Sequence, residues 1–494
     1  MKIITMYLPQ FYENEHNSKW WGEGYTDWVA VKEAEQYFKT HNQPRVPLEH
    51  YYYNLLEKET MQWQVTLMKK YGIYGQCFYH YWFKDGKMAL EKPAENLLKW
   101  QEIDMPFCFS WANQSWTMSW SKRDNSAVWS RKYEVRDCNE TGILLEQQYG
   151  GRKQWKEHFE YLLPFFKDSR YIKKDGRPVF MIYEPNDIVQ LEEMIQTWNE
   201  LAYENNIPNL YIINANTNER RNADALYKHM TSSMMPEYFY LKNNGVRCVQ
   251  YNAVWDYILQ QGKFARKGTI IGGMIDFDTT PRKGKQGIVT LNCDSQTYNY
   301  YLKRLLKINE ELENEFTFIN AWNEWGEGMY LEPDQRNGYA FLEATKNALE
   351  EYQNVEINNK ADKDDIALME YYQKQAQKFR NQWKYTDRLL YIAERKESIG
   401  NNLLDKGIRK IAIYGWGYLG KHIYQNLLTT DVDIKYIIDQ HVKSSGVDIP
   451  LLSFEDKWEC VDAIILTVID ETESLKAQIR EKLNVQIVGL GEIL

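Results

Sequence analysis

The stretch Phe316-Thr317-Phe318-Ile319-Asn320-Ala321-Trp322 runs without a break into Asn323-Glu324-Trp325-Gly326-Glu327-Gly328. An apolar, aromatic-rich run reads as a buried strand, and the polar, glycine-bearing residues behind it as the loop at its C-terminal end. Working outward, the same unit recurs along the chain: a short apolar burst, a polar aromatic loop, then helical spacing. The bursts fall at 2–8, 73–82, 105–111, 178–183, 209–214, roughly 230–236, 269–276 and 316–322. Helical spacing occupies 57–70, 152–167, 188–205, 252–262, 296–313 and 338–352. Eight β-then-α units with no run of hairpins predict an α/β fold, a (β/α)8 barrel of the TIM type over residues 1–354.

Beyond the barrel, 355–402 is charged and rich in Gln and Lys, and reads as a helical linker. Residues 403–494 then show a Rossmann-like rhythm, with strands at 411–414, 434–438, 463–468 and 485–488 and a helix at 419–427. Gly415-Trp416-Gly417-Tyr418-Leu419-Gly420 lies between the first strand and that helix, and Asp439 ends the next strand 19 residues after Gly420. In that context bare glycines and a helix N-terminus accept a pyrophosphate, and the acid takes a ribose hydroxyl. Gly415, Gly417, Gly420 and Asp439 are therefore candidate contacts for a nucleotide. The unit is long enough for one mononucleotide half only, so a ligand-sensing or docking module is the alternative. The barrel itself requires no cofactor on this reading.

Composition narrows the partners. With 60 basic and 69 acidic side chains among 494 residues the net charge is −9, which disfavours a nucleic-acid protein. The chain carries 18 Trp, 37 Tyr and 18 Phe, whose flat faces suit the C–H faces of sugar rings. No apolar stretch approaches the ~18–20 residues that span a bilayer. Met1–Gln10 reads as a first strand and not a signal peptide. Cys77, Cys108, Cys138, Cys248, Cys293 and Cys460 are scattered without CxxC spacing, which suits reduced thiols and a cytoplasmic location.

In a parallel barrel the working residues gather at the C-terminal ends of the strands and in the following loops. Those positions hold Gln10, Trp20, Trp21, Asp27 and Trp28 after the first strand, and His80, Tyr81 and Trp82 at the end of the second. Trp111, Asn113, Gln114 and Trp116 follow the third, Tyr183 closes the fourth, Asn214 and Asn216 the fifth, and Glu237 the sixth. Asp276, Asp278 and Arg282 follow the seventh, and the eighth delivers Asn320, Trp322, Asn323, Glu324, Trp325 and Glu327. Two acids three residues apart converge if the backbone turns sharply, and Gly326 and Gly328 permit that. Glycosidic cleavage needs one carboxyl protonated and one ionised. Mutual repulsion and burial against Trp322 and Trp325 would separate their pKa values in that sense. The same acids could be solvated loop residues; the flanking Trp, Asn and Gly favour catalysis.

Other chemistries find less support. His41, His80, Asp276 and Asp278 show no HxH or HExxH spacing, so no metal is expected. A G-x-S-x-G nucleophile elbow is absent from the sequence. His80 fits the barrel wall as well as it fits a substrate contact. Arg282 could neutralise an acidic sugar, hold a carboxylate in place, or form a structural ion pair. Trp20, Trp21, Trp28, Trp82, Trp111, Trp116 and Trp120, beside Gln10, Asn113 and Gln114, predict a stacking platform with a hydroxyl-reading rim, although such rings also fill cores.

At these residues the sequence resembles the WbsX-like proteins, described as glycosyltransferases of surface-polysaccharide clusters, and their relatives in glycoside hydrolase family 99. The similar stretches are YLPQF (7–11), WWGEGYTDW (20–28), YGIYGQCFYHYWF (71–83), FCFSWANQSWT (107–117), DFDTTPRKG (276–284) and FINAWNEWGEGMYLEPD (318–334). The resemblance implies a carbohydrate-active enzyme on an oligosaccharide or polysaccharide. From the hydrolase relatives it implies retaining, substrate-assisted cleavage through a 1,2-anhydro sugar. In that scheme Glu324 would deprotonate the sugar 2-hydroxyl, and Glu327 would protonate the leaving oxygen and later activate water. The match is closer to the WbsX-like group than to the mannosidases, so mannose specificity does not carry over. A glycosyltransferase using an activated donor and a non-catalytic glycan-binding protein are the alternatives.

Overall fold

Lys2–Tyr7 (β1) is buried along almost its whole length, as an apolar strand between two layers must be, and it pairs in parallel on both edges. Gly75–Trp82 (β2), Phe107–Trp111 (β3), Arg177–Ile182 (β4), Tyr211–Ala215 (β5) and Ala225–Lys228 (β6) follow, each paired in parallel with its predecessor. Thr269–Ile271 pairs with β6; the chain then resumes as Gly273–Met274, and both pieces together form β7. The second piece pairs with Phe316–Asn320 (β8), which returns to β1. The result is an eight-stranded, nearly closed, barrel-like parallel sheet in an α/β unit. Where β7 breaks, there is no room for a side chain: a Cβ at Gly272 would lie 2.5 Å from the Tyr227 hydroxyl, and one at Gly273 2.8 Å from Leu305.

The computed structural model describes residues 1–117, 143–229, 240–357, 398–439, 446–468 and 473–493, with 385, 386, 388, 389 and 392 between them. Its two compact units are 1–360 and 361–494. In the first, helices Lys58–Lys70, Lys92–Lys99, Arg152–Lys167, Leu191–Glu204, Tyr251–Phe264, Ser295–Glu311 and Ala340–Glu351 lie between successive strands and after the last. The expected eighth helix is missing between β5 and β6. Residues 216–224 form a turn instead, where Asn214 Nδ2 donates to the Arg220 carbonyl and the Ile212 amide to Asp224 Oδ2. A crossover helix needs about a dozen residues, and this connection is shorter. The sixth strand of the barrel sits at 225–228, between β5 and β7; the burst read at 230–236 falls outside the described residues. Residues 230–239, including Glu237, lie outside the described residues, as do 118–142 with Trp120.

Behind the loop after β8, Glu332 ties three segments together. Its Oε2 accepts from the Tyr53 hydroxyl at 2.7 Å and the Trp325 indole at 2.7 Å, and its Oε1 accepts from Gln64 Nε2 at 2.8 Å. Burial pushes its carboxyl up to about 7 against those hydrogen bonds. The folded protein therefore holds a proton that the unfolded chain releases near its ordinary pKa. Stability from this group is full below about pH 4.5 and is lost as pH rises through 7, by on the order of 3 kcal/mol. Unfolding measured between pH 4.5 and 8 is expected to show a correspondingly flatter pH slope in Glu332→Gln than in the wild type.

In the second unit, Lys410–Tyr414, Asp433–Ile438, Leu451–Leu452, Ala463–Leu466 and Gln486–Gly489 form a five-stranded, wholly parallel sheet. In chain order its strands are arranged 3-2-1-4-5. Of the 355–402 segment few residues are described; Leu389 and Ile392 pack in the core of this unit with Leu403 and Ile411. No described helix is long and apolar enough to cross a membrane.

Candidate active site at the mouth of the barrel

The loop after β8 is pinned before it turns. Asn323 donates Nδ2 to the Leu8 carbonyl at 3.0 Å and accepts the Leu8 amide at 2.8 Å, fixing it to the end of β1. Asn323–Glu324 then pairs antiparallel with Met329–Tyr330 around a single turn, Trp325–Glu327, closed by Gly328 at φ 71°. That turn brings Glu324 and Glu327 to one guanidinium. Arg282, from the short helix Thr280–Lys283, donates Nη2 to Glu324 Oε1 at 2.8 Å and Nη1 to Glu327 Oε1 at 2.9 Å. Its Nη2 also reaches Asp27 Oδ2 at 2.9 Å, and Gln10 Nε2 donates to the other Asp27 oxygen at 3.1 Å. Three carboxylates thus surround one cation.

Gly326 makes this approach possible. A Cβ there would lie 2.6 Å from Asp27 Oδ2 and 2.7 Å from Arg282 Nε, closer than real contacts allow. Gly326→Ala is expected to displace the guanidinium, costing about 1–3 kcal/mol of stability and abolishing any turnover that depends on the glutamate pair. Thermal unfolding and product release on the same preparation check both effects.

Behind the pair, the Asp278 amide donates to the Glu327 carbonyl at 2.7 Å, and Arg45 Nη1 donates to the Gly328 carbonyl at 3.3 Å. The Asp278 carboxylate accepts from His41 at 2.9 Å, Gln43 at 2.8 Å and the Thr280 hydroxyl at 2.6 Å. Burial opposes its ionisation, yet His41, Arg45 and Thr280 hold it below the usual carboxylate range. For Glu324 burial wins: it pushes the carboxyl well above the usual range, Arg282 opposing, with Glu327 and Asp27 adding repulsion.

The pair opens into a cavity of about 500 Å³, within the range of small-ligand sites. Of the residues expected at the mouth, Gln10, Trp20, Tyr81, Gln114, Trp116, Tyr183, Arg282, Asn320, Glu324 and Glu327 line it. Others do not, for reasons of strand parity and packing. Successive side chains on a strand face opposite ways, so on β2 Tyr79 and Tyr81 enter the cavity while His80 and Trp82 face the helices. His80 Nε2 lies 2.8 Å from His158 Nε2, Trp82 stacks on His158 at 4.6 Å, and burial depresses the His80 pKa to about 3. Trp111 donates to the Trp82 carbonyl and packs on His158 and Trp198.

Several loop residues are structural as well. Trp28 is buried between Phe11 and Trp325 and donates to the Tyr53 carbonyl; Trp322 and Trp325 are core. Asn113 brackets the Glu184 backbone through both ends of its amide, and Asn323 clamps Leu8. Asp276 is paired with Arg45 at 2.8 Å. Trp21 lies on a helix, but its side chain is outside the described set. Sequence reasoning placed Asp27 in the loop after the first strand but did not single out Tyr79, Phe277 or His229 as contacts. Parity on β2 would have found Tyr79; misplacing the sixth strand hid His229. Among the described residues no group of three His, Cys, Asp or Glu side chains is arranged to hold a metal ion.

In the second unit a Cβ on Gly420 would fall 2.0 Å from the Gly415 carbonyl, Gly415 has φ 99°, and nothing lies within 4 Å of a Cβ built on Gly417. The first two observations are a tight turn and close helix–strand packing, and the third is open space beside Gly417, as the pattern read in the sequence expects. Asp439 departs from that pattern in part: its Oδ2 accepts the Trp416 amide at 2.6 Å, so one oxygen serves the loop itself.

Comparison with known proteins bears on this barrel. Two WxcX proteins of Xanthomonas campestris pv. campestris, from strains B100 and ATCC 33913, are each 28% identical over 360 residues, 70% of this chain and 49% of their own. The chain thus spans about half the length of the curated relatives it matches. Among solved structures, the GH99 endo-alpha-mannosidase of Bacteroides thetaiotaomicron has a TM-score of 0.42 at 14% identity, covering 71% of this chain and 97% of that one. A GH113 beta-1,4-mannanase has a TM-score of 0.30 at 11% identity, covering 61% and 95%. Residues 3–345 match the family described as Glycosyltransferase WbsX, so the chain belongs to the WbsX family.

Proposed function

We propose that the barrel cleaves or transfers a glycosidic bond of a bacterial surface polysaccharide or its precursor, with Glu324 and Glu327 as the working carboxylates. One observation carries this reading: both acids reach a single buried guanidinium at the wall of a cavity lined by Trp20, Tyr81 and Trp116. One carboxyl gives its proton to the leaving oxygen as the C–O bond breaks, while the other, ionised, takes a proton from the attacking hydroxyl. The resemblance assigns the proton donor's role to Glu327. The direction of the Glu324 shift supports the reverse partition, because burial keeps the proton on Glu324 in the free cavity.

The family's description favours a second reading, transfer from an activated sugar donor. The 3-2-1-4-5 strand order and the glycine turn at 415–420 support a Rossmann-like second unit that binds a nucleotide. Product release from a panel of bacterial surface polysaccharides separates the two. Release by the intact chain without added nucleotide sugar is the expected result; product formed only when a nucleotide sugar is supplied would overturn hydrolysis in favour of donor-dependent transfer.

A further inference from the structure

Three residues that line the cavity carry a buried polar atom with no partner within the described protein: Asn17 Nδ2 from the first loop, and His229 Nδ1 and Asn320 Oδ1 from the ends of β6 and β8. His229 is 7% and Asn320 6% exposed. The His229 ring is held on two sides. Its Nε2 lies 3.2 Å from the Tyr183 hydroxyl, and its face stacks on Tyr227 with centroids 5.1 Å apart and planes at 9°. Burial depresses its pKa to about 4, so the ring is neutral near pH 7 and carries a single N–H. Whichever way the Tyr183 bond runs, Nδ1 is left as one donor or one acceptor. Asn320, the last residue of β8, presents an oxygen that needs a donor.

A buried polar atom without a partner costs stability, and such atoms are few in folded proteins. His229 Nδ1 and Asn320 Oδ1, on residues that line the cavity together with Glu324 and Glu327, point to a ligand that completes both. Asn320 requires an O–H or N–H, and His229 accepts either polarity; a hydroxyl supplies both. An anionic group there would meet no charge on His229 and would lie in the same cavity as the carboxylates. We propose that His229 and Asn320 are the specificity pair of the cavity, reading two hydroxyls of the uncharged sugar ring whose glycosidic bond is attacked. This inference rests on the glycosidic reading of the same site.

The test titrates the intact chain with the methyl α- and β-glycosides of glucose, mannose and galactose and with the matching uronic acids, read by ligand-observed NMR. Released oligosaccharide replaces them as the probe if release occurs without their binding. Neutral glycosides are expected to bind at least tenfold more tightly than uronates. On ¹⁵N-histidine-labelled protein the bound glycoside should move the His229 Nδ1 resonance and leave the His80–His158 pair in place. His229→Phe, which keeps the ring stacked on Tyr227, and Asn320→Ala should each weaken binding about ten- to hundredfold. Against the monodeoxy sugar lacking the hydroxyl in question, wild type and variant should bind alike. Binding that ignores both substitutions and leaves Nδ1 unmoved would overturn the pair's role and leave the sugar reading standing. Equal losses against every monodeoxy analogue would reduce both residues to structural ones. No binding of any probe, with no product release from polysaccharide, would overturn the pair and the glycosidic reading together.

Discussion

Glu324→Gln and Glu327→Gln are each expected to cut product release by about 10²-fold or more, the scale of general acid–base catalysis. Each change removes one ionisable group while keeping shape, so both variants should fold. The stronger prediction concerns the leaving group. A nitrophenyl glycoside departs without a proton, so it restores the variant that lacks the acid and not the one that lacks the base. Burial keeps the Glu324 carboxyl well above the usual range, and with Glu324 as donor the recovered variant is Glu324→Gln. Activity of the wild type should then fall as pH rises through that raised pKa. Recovery of Glu327→Gln instead would establish the partition implied by the resemblance, with burial offset by the substrate. Release undiminished in both variants would place the chemistry elsewhere.

Arg282→Met is expected to have the largest effect on stability. Among the described residues the guanidinium is the partner shared by Asp27, Glu324 and Glu327, and Asp27 and Glu324 are buried. Its removal leaves acids facing one another without compensation, a change that costs about 3–5 kcal/mol when a buried pair is broken. The sign with pH follows. Burial pushes the Glu324 carboxyl well above the usual range, so the loss is full only above that raised pKa and shrinks as pH falls and Glu324 takes up its proton. Denaturant unfolding followed by tryptophan fluorescence at pH 8 and pH 5 should therefore show a larger deficit at the higher pH. Arg282→Lys keeps the charge but not the planar fork that meets three carboxylates at once, so it should recover part of the stability and little activity. A deficit equal at both pH values would mean that the loss comes from packing and not from charge.

Much of the barrel was legible because strand and loop chemistry alternate so regularly. β1 at 2–7, β3 at 107–111 and β8 at 316–320 fall inside the bursts read at 2–8, 105–111 and 316–322. The sixth strand was not legible. Four residues ending in a lysine, Ala225–Lys228, give a weaker apolar signal than the methionines that follow, and the preceding connection lacks the helix that the repeat led one to expect. That error removed His229 from the candidates although it lines the cavity.

The aromatic loops show the limit most clearly. Of the tryptophans read as a sugar platform, Trp20 and Trp116 line the cavity, whereas Trp28, Trp82 and Trp111 pack against core side chains. In sequence all five stand at strand ends or in the loops just beyond them. What separates them is the face of the strand on which each falls and the direction in which each loop is tied down, as Asn113 ties the loop after β3 to Glu184.

By itself the sequence determined the periodic β–α architecture, the glycines on which the turn after β8 depends and the pair Glu324 and Glu327, because these are local properties of spacing and residue type. Only the tertiary structure decided that Arg282, 42 residues before Glu324, joins that pair to Asp27 from the first loop. It also decided which aromatic rings meet the cavity and which fill the core. The physical reason is that burial and charge pairing depend on distances between segments remote in sequence, and residue spacing along the chain does not encode those distances.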